Sequence, residues 1–313
     1  MTPEKLQRFF PMTQFGEIRD VVSVTMGQSG ASVFSVTTES GTYILRIHGE
    51  DQISWERVLS AQQTASQQAI APAIVHIDAA ERAVVSVLVS GISLGAALSQ
   101  TETRVAALQS LIAILRKLHA IPADAFAAVD LLGFAHSVWD EQCRRPNFPE
   151  WAMPLGDRIT EAEKLLKEDG RLVLSHCDLH PANILWDGRR VWLVDWERAG
   201  LAHPYLDMAT ICNFLTMPDE AALNLLEQQE QAKIEENQKL LFTALRHLCR
   251  VVYGAVFFRL VSDLGSVQIA SREETPSLAE CFAMLSTGKL ALREPQGRAL
   301  IGAAFLKQCA LVV

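Results

Sequence analysis

The chain has 313 residues, of which 49% are hydrophobic, so it is long enough for one large domain or two lobes around a sizeable core. Its 36 acidic residues outnumber 28 basic ones and give a formal net charge of −8, which disfavours nucleic acid as a partner. The acidic excess is compatible with a cationic substrate, although a solvated acidic surface explains it as well. The six cysteines form no C-x-x-C pair, so neither a zinc site nor a disulfide framework is expected.

The sequence is not typical of a secreted or membrane-spanning protein. Residues 1–10 scatter their charges instead of placing a basic stretch before an apolar run, which is unlike a signal peptide. The longest continuous apolar stretches, such as Val251 to Phe258, are far shorter than the roughly 20 residues that a membrane span needs. We therefore expect a cytoplasmic protein without a membrane partner.

Short runs of β-branched residues, separated by turns, occupy the first 90 residues. Such runs are typical of strands. A helix is predicted between the third and fourth runs, and Ala71-Pro72 breaks it. The predicted strands cover 21–24, 32–36, 42–47, 74–77 and 83–89, and the predicted helix covers 53–66. This part of the chain is thus expected to form a sheet with one helix.

The character of the sequence changes at Ser90-Gly91. From there, apolar residues recur every three or four positions up to Pro122, which is the period of an amphipathic helix. Beyond Asp207 the pattern is helical again. The sequence therefore predicts an α+β fold with a sheet-rich N-terminal lobe, 1–90, and a mainly helical C-terminal lobe, 91–313.

One short polar run interrupts this helical half. A predicted strand over 172–174 leads into the run His176 to Asn183. A hairpin follows, because the turn signal Asp187-Gly188 separates two strand-like segments, 183–186 and 191–196.

Asp178, Asn183 and Asp195 place three oxygen-bearing side chains at one end of this predicted hairpin. Phosphoryl transfer needs such a set: a carboxylate that accepts the proton of a hydroxyl, and oxygen ligands for the magnesium ions that neutralise the nucleotide phosphates. Asp178 is the candidate base, and Asn183 and Asp195 are the candidate metal ligands. Taken one at a time, Asp and Asn also cap turns, so each residue alone has a structural alternative.

The motif that joins these residues resembles that of a known family. H-C-D-L-H-P-A-N-I-L followed by V-W-L-V-D-W-E is similar to the H-x-D-x-x-x-x-N and downstream Asp signature of aminoglycoside phosphotransferases and choline kinases, relatives of the protein kinases. Asp207 resembles the buried Asp that anchors the catalytic loop of that family. The resemblance covers residues 26–209 and implies a bilobal protein kinase-like fold that binds ATP and Mg²⁺.

The resemblance also implies nucleotide-binding residues in the first lobe. Arg46 takes the place of the phosphate-binding Lys, as in the choline kinase branch, and its forked guanidinium suits phosphate oxygens. Glu56, on the next helix, is the candidate ion-pair partner of Arg46. A loop of small residues between two predicted strands resembles the phosphate-covering loop, although such a turn alone is common in hairpins: Gly27, Ser29, Gly30, Ala31 and Ser32.

The segment from Val85 to Gly91 matches the interlobe hinge of the family, whose backbone would hydrogen-bond the adenine edge. Val89 and Gly91 are the candidate contacts there. By the same resemblance, His180 lies near the phosphates and His176 supports the loop backbone. A metal site built from histidines is not expected.

Three other functions remain open from the sequence alone. The run G-I-S-L-G fits the elbow of a serine hydrolase, with Ser93 as nucleophile and Asp195 and His203 as partners, but a mostly helical second half disagrees with that fold. The complete set of oxygen-bearing residues disfavours a catalytically silent kinase fold. The short interval between Asp195 and Asp207 leaves little room for the peptide-docking segment of a protein kinase.

We expect the acceptor to be a small hydroxyl compound that carries a positive charge. An aromatic ring beside a carboxylate attracts an ammonium group, and three tryptophans have acidic neighbours in the sequence. The candidate residues are Trp196 with Glu197, Trp139 and Trp151. Packing in the core explains these tryptophans equally well. An aminoglycoside, choline or ethanolamine, thiamine and a similar metabolite all remain candidates.

Overall fold

Five antiparallel strands form one sheet in the N-terminal part of the protein. The computed structural model describes residues 3–24, 32–49 and 52–309. The strands of this sheet are β1 (Ile18–Ser23), β2 (Ser32–Thr38), β3 (Thr42–Ile47), β4 (Ile74–Asp78) and β5 (Ala83–Val87). Their order is β1-β2-β3-β5-β4, and Ser32 to Thr37 of β2 pair in register with Ile47 to Thr42 of β3. The strands predicted from the sequence are all present.

Helices make up most of the remaining described residues. They are α1 (Pro3–Phe9), α2 (Met12–Phe15), α3 (Gln52–Gln67), α4 (Leu94–Ser99), α5 (Thr101–His119), α6 (Leu131–Cys143), α7 (Asp157–Asp169), α8 (Leu206–Phe214), α9 (Asp219–Glu230), α10 (Glu236–Arg259), α11 (Leu278–Ser286) and α12 (Pro295–Lys307). Five short strands lie among them: β6 (Ile92–Ser93), β7 (Val173–Ser175), β8 (Ile184–Trp186), β9 (Val191–Leu193) and β10 (Gly200–Ala202). The predicted α+β class is confirmed.

Helices α1 and α2, which the sequence analysis did not predict, cover one face of the sheet. Phe9 of α1, Phe15 of α2 and Phe10 between them are buried with sheet residues in one hydrophobic cluster. The ring of Phe15 meets that of Tyr43 edge to face at 5.0 Å. Burial of such large rings is worth about 1.5–3 kcal/mol each, so α1 and α2 are part of the core of this region.

The chain divides into two compact units, each described here by itself. The first unit comprises residues 1–127 and 176–201, and the second comprises 128–175 and 202–313. This division by packing differs from the lobes predicted on either side of residue 90, which stay a prediction.

In the first unit, the segment 176–201 packs with the N-terminal part of the chain. Strand β8 pairs with β6 on one side and β9 on the other. The main-chain nitrogen of Val191 donates to Ser110 Oγ of α5 at 2.8 Å, and that of Leu193 donates to the carbonyl of Ile70 at 3.0 Å. A side chain at Gly91 would lie 2.6 Å from the carbonyl oxygen of Trp186, so this position needs glycine for the close approach of the two strands.

In the second unit, α10 is the central helix and packs against α6, α7, α8 and α12. Its Gly254 faces Gly302 of α12, where a Cβ on either glycine would lie about 3 Å from the other's carbonyl oxygen, so the two helices cross closely. By length and composition, helix α10 could span a membrane, but 72% of its most apolar 18-residue stretch is buried inside the protein. Burial of this kind is typical of a core helix.

A partly exposed ion-pair cluster joins the end of α7 to the segment before α8. Asp169 Oδ1 accepts hydrogen bonds from Arg171 Nε at 2.8 Å and from His203 Nε2 at 3.0 Å. The guanidinium of Arg171 lies 4.8 Å from the centre of the Tyr205 ring. Burial alone would raise the pKa of Asp169, but the hydrogen bonds from Arg171 and His203 outweigh it and lower this pKa to about 2.

We expect Asp169→Asn to lower the free energy of unfolding by about 1 kcal/mol near pH 7, after discounting for partial exposure. Because the pKa of Asp169 is lower in the folded than in the unfolded protein, its stabilisation is complete above about pH 4 and is lost as the pH falls towards 2. Denaturant unfolding at several pH values measures this, with the exposed neighbour Glu168→Gln as control. A deficit in Asp169→Asn that persists undiminished at pH 2 would contradict the assignment.

Candidate active site

Local hydrogen bonds fold the candidate catalytic loop, residues 176–183, into a tight turn. The main-chain nitrogen of His180 donates to the carbonyl of Asp178, and that of Asn183 to the carbonyl of His180, both at 2.9 Å. The side-chain nitrogen of Asn183 donates to the carbonyl of Asp178 at 2.9 Å. Asn183 is buried, while Asp178 and His180 are half-buried. Two of these three bonds use the main chain of Asp178, and none uses its carboxylate.

A second set of contacts ties this loop to the strand end that carries Asp195. His176 is buried, and its Nε2 donates to the carbonyl of Val194 at 2.9 Å. The main-chain nitrogen of Val194 donates to the carbonyl of Asn183 at 3.0 Å. These bonds place the loop with Asp178 and Asn183 beside the segment of Asp195, and His176 has the supporting role that the resemblance implied.

Trp196 is a core residue, so its predicted contact with a substrate is wrong. Only 2% of its surface is exposed. Its ring packs against that of His176 with centroids 4.8 Å apart, and its Nε1 donates to the carbonyl of Leu193 at 3.1 Å. The backbone of Asp195 has a positive φ of 66°, which breaks the alternation of the strand and turns Trp196 inward.

Arg46, on β3, binds two carboxylates that lie two residues apart. Its Nη2 lies 2.9 Å from Asp195 Oδ2, and its Nη1 contacts Glu197 Oε1. The side chains are largely withdrawn from solvent, with 17% of Arg46, 26% of Asp195 and 14% of Glu197 exposed. The structure thus assembles one positive and two negative side chains beside the catalytic loop.

The predicted ion pair between Arg46 and Glu56 is not the one that the structure has. Both carboxylates that Arg46 binds come from the segment after β9, and the side chain of Glu56 is exposed. Helix α3 turns Trp55 and Val58 into the core, and this helical phase points Glu56 outward. Arg57 of α3 does reach the site segment, where its Nη1 donates to the carbonyl of Ala199 at 3.1 Å. The helical spacing of the apolar residues Trp55 and Val58 was the sequence signal that could have favoured Arg57 over Glu56 as the residue facing the site.

The predicted nucleotide contacts of the first strands are only partly described. Gly27, Ser29, Gly30 and Ala31 lie outside the described residues, and Ser32 is the exposed first residue of β2. In the hinge segment, the nitrogen of Leu88 donates to the carbonyl of Thr42 at 3.2 Å. Among the described residues, Val89 has no backbone–backbone hydrogen bond outside helices and strands, and its contact with adenine stays a prediction. Gly91 is explained by the close approach to Trp186.

The donor set of Asn183 and Asp195 fits Mg²⁺. The amide nitrogen of Asn183 is used on the carbonyl of Asp178, which leaves its oxygen, and Mg²⁺ prefers oxygen ligands. In residues 3–24, 32–49 and 52–309, no group of three or more His, Cys, Asp or Glu side chains is arranged to hold a metal ion alone. Two protein ligands suit Mg²⁺, which usually completes its shell with phosphate oxygens and water.

The two tryptophans predicted for the acceptor in the second unit differ in exposure. Trp139 is buried and packs edge to face against Phe148 at 5.6 Å, so it is a core residue and the prediction for it is wrong. Trp151 is half-buried, donates from Nε1 to the carbonyl of Ala270 at 3.4 Å, and lines a surface cavity together with Glu150. A contact between Trp151 and a substrate stays a prediction.

Ser93 caps a helix. Its Oγ accepts a hydrogen bond from the nitrogen of Ala96 at 3.3 Å, at the N-terminus of α4. The arrangement differs from a strained nucleophile elbow, in which the serine oxygen is presented to a substrate.

We expect Ser93→Ala to leave catalytic activity unaltered and to lower the free energy of unfolding by about 1 kcal/mol, because only the helix cap is lost. Parallel assays of phosphotransfer and ester hydrolysis, with thermal unfolding, measure this. Ser90→Ala, at an exposed neighbouring position, is the control. An esterase activity that disappears in Ser93→Ala would revive the hydrolase interpretation.

Comparisons with known proteins place the fold among those of small-molecule kinases. The chain is similar to a choline/ethanolamine kinase family protein from Mesorhizobium loti, with 18% identity and a TM-score of 0.63 over 90% of this chain and 92% of that one. It is also similar to the choline kinase LicA from Streptococcus pneumoniae, with 15% identity and a TM-score of 0.61 over 81% and 87% of the two chains. An aminoglycoside phosphotransferase from Streptomyces rimosus matches with 20% identity and a TM-score of 0.54 over 80% and 99%. Comparison with curated protein sequences gives no match.

At these identities the likeness to solved structures establishes the fold, which is the protein kinase-like fold of small-molecule phosphotransferases. The profile of the Phosphotransferase enzyme family, APH, matches residues 20–239, which is most of the chain. The protein therefore belongs to this family, and the resemblance drawn from the motifs is confirmed.

Proposed function

We propose that the protein is an ATP-dependent kinase that phosphorylates a hydroxyl group of a small molecule. One observation carries the proposal: a single hydrogen-bonded unit brings together the loop of Asp178 and Asn183 and the ion pair between Arg46 and Asp195. Phosphoryl transfer is mostly positioning and charge stabilisation, and these residue types are the ones that it uses.

Each residue has a distinct part in the proposed reaction. Asp178 accepts the proton of the acceptor hydroxyl. The oxygen of that hydroxyl attacks the γ-phosphorus of ATP, the bond from the γ-phosphorus to ADP breaks, and ADP leaves. Asn183 and Asp195 would hold Mg²⁺, which would neutralise charge on the phosphates. Arg46 binds phosphate oxygens through its forked guanidinium, and His180 lies near the phosphates.

The nucleotide assignment has support from the relatives. LicA has been solved in complex with AMP, and a thermostable aminoglycoside phosphotransferase mutant in a ternary complex with AMP-PNP and hygromycin B. In this chain, the main chain of Val89, in the segment that resembles the hinge of the family, would bind the adenine edge. We place the reaction in the cytoplasm, where ATP is available.

We further propose that the acceptor carries a positive charge. Choline, ethanolamine and aminoglycosides, after which the similar kinases are named, all carry amino or ammonium groups. The net charge of −8 favours the approach of such cations. The half-buried Trp151 with its neighbour Glu150 is the remaining aromatic and acidic pair for this role.

A panel of hydroxyl compounds tests both statements. ADP release would be measured with choline, ethanolamine, thiamine, several aminoglycosides and matched neutral alcohols and sugars, each with the Asp178→Asn variant as the blank for contaminating kinases. Turnover of a compound by the wild type above that blank supports the kinase. A preference for neutral acceptors would refute the cationic class, and no turnover with any of them would favour a silent kinase fold.

A further inference from the structure

The guanidinium of Arg46 contacts two carboxylates: Nη2 contacts Asp195 and Nη1 contacts Glu197. The proposed function uses Asp195 as a ligand of Mg²⁺ but gives no role to the contact with Glu197. Only 14% of the Glu197 side chain is exposed, less than for Asp195. A carboxylate so far removed from water needs a cation or hydrogen-bond donors beside it, and Arg46 is one such partner of Glu197.

The backbone fixes Glu197 in this place from both sides. Trp196 before it is locked into the core by His176 and by the carbonyl of Leu193. Ala199 after it is held by the hydrogen bond from Arg57. Glu197 therefore differs from a flexible surface acid, because the backbone that carries it is anchored on both sides and its carboxylate contacts Arg46.

We propose that Glu197 is the positioning residue of Arg46. This inference rests on the proposed function. Asp195, if it also held Mg²⁺, would attract Arg46 less strongly, and Nη2 of Arg46 would then be available to a phosphate oxygen. Glu197 keeps its contact with Nη1 and so holds the guanidinium in place during this exchange. A planar guanidinium suits this division, because its two Nη groups bind different acceptors at the same time.

Glu197 is thus the ion-pair partner of Arg46, the role that the sequence analysis gave to Glu56 of α3. In this proposal Glu197 no longer counts among the candidate residues that bind the acceptor. The two assignments differ in what a mutation changes. A residue that positions Arg46 affects the binding of ATP, whereas a residue that binds the cationic acceptor affects the KM of the acceptor.

Calorimetric titration with Mg·ATP and steady-state kinetics, both on the whole 313-residue chain, distinguish a role in positioning Arg46 from a role in binding the acceptor. We expect Glu197→Ala to raise the Kd and the KM of ATP about tenfold to a hundredfold, as for loss of a charge-assisted bond, and to leave the KM of the acceptor unchanged. Glu197→Gln, which keeps the shape, guards against misfolding and should show a smaller loss. Glu197→Asp should recover part of the affinity, and Glu56→Gln should bind ATP like the wild type.

A double-mutant cycle gives the sharpest test. Arg46→Met alone should weaken Mg·ATP binding at least tenfold, and in that background Glu197→Gln should add little, because there is no guanidinium left to position. Additive losses, a raised acceptor KM, or unchanged ATP binding in Glu197→Ala would overturn the inference. If the wild type itself fails to bind Mg·ATP, the proposed function fails and the inference with it; if the wild type binds and the variants bind equally, the inference alone fails.

Discussion

Replacing Asp178 with asparagine is expected to lower kcat about 10²–10⁴-fold and to leave the affinity for ATP close to that of the wild type. Asparagine has nearly the same shape as aspartate but does not accept the proton of an attacking hydroxyl. The hydrogen bonds that shape the loop use the main chain of Asp178, so they persist in the variant. The loss should therefore be confined to the chemical step.

Rapid-quench measurement of a single turnover, together with calorimetric titration of ATP, separates these two effects. Asp124→Asn, at an exposed position outside the site, is the matched control and should behave like the wild type. Near-normal turnover by Asp178→Asn would remove Asp178 from the role of base. Weak ATP binding with normal turnover at saturation would show a positioning role instead.

The candidate catalytic loop could be predicted because its parts are close in sequence. Asp178 and Asn183 are five residues apart, and the turn signal Asp187-Gly188 indicated the hairpin that returns to Asp195. The bonds that close the loop are likewise local. Short-range patterns of this kind determine both the motif and its geometry, as they do for the strands of the N-terminal sheet.

The ion pairs of Arg46 could not be read from the same patterns. Arg46 and Glu197 are 151 positions apart, and the pair forms only through packing of the segment 176–201 on the N-terminal region. The choice of Glu56 relied on proximity in sequence. Charge patterning gives no rule for so distant a partner, and the phase of α3 was the only local sign against Glu56.

The tryptophans show how one backbone angle changes an interpretation. In an unbroken strand, alternate residues share a face, so the buried Val191 and Leu193 would predict Trp196 on the outer face. The positive φ of Asp195 reverses the side on which the following residue lies. Asp and Asn tolerate this conformation better than most residues, but tolerance does not reveal where it occurs.

Replacing Asp195 is expected to abolish the magnesium dependence of ATP binding. The better variant is Asp195→Asn, because asparagine tolerates the positive φ at this position, whereas alanine adds backbone strain to the loss of charge. Without the carboxylate, one of the two predicted metal ligands loses its charge, and kcat/KM should fall about 10²–10³-fold or more.

Titration with ATP in the presence of a chelator distinguishes loss of a metal ligand from a general loss of ATP binding. In the wild type without metal, Nη2 of Arg46 is engaged by Asp195, so we expect ATP to bind weakly in the presence of a chelator. In Asp195→Asn, Nη2 is released while Nη1 keeps its contact with Glu197, and one negative charge near the phosphates is gone. Metal-free ATP should therefore bind this variant at least as tightly as it binds the wild type. Added Mg²⁺ should change the affinity of the variant for ATP little. If calorimetry gives both proteins the same gain in ATP affinity on adding Mg²⁺, with Asp124→Asn alongside, Asp195 is not a ligand of the metal.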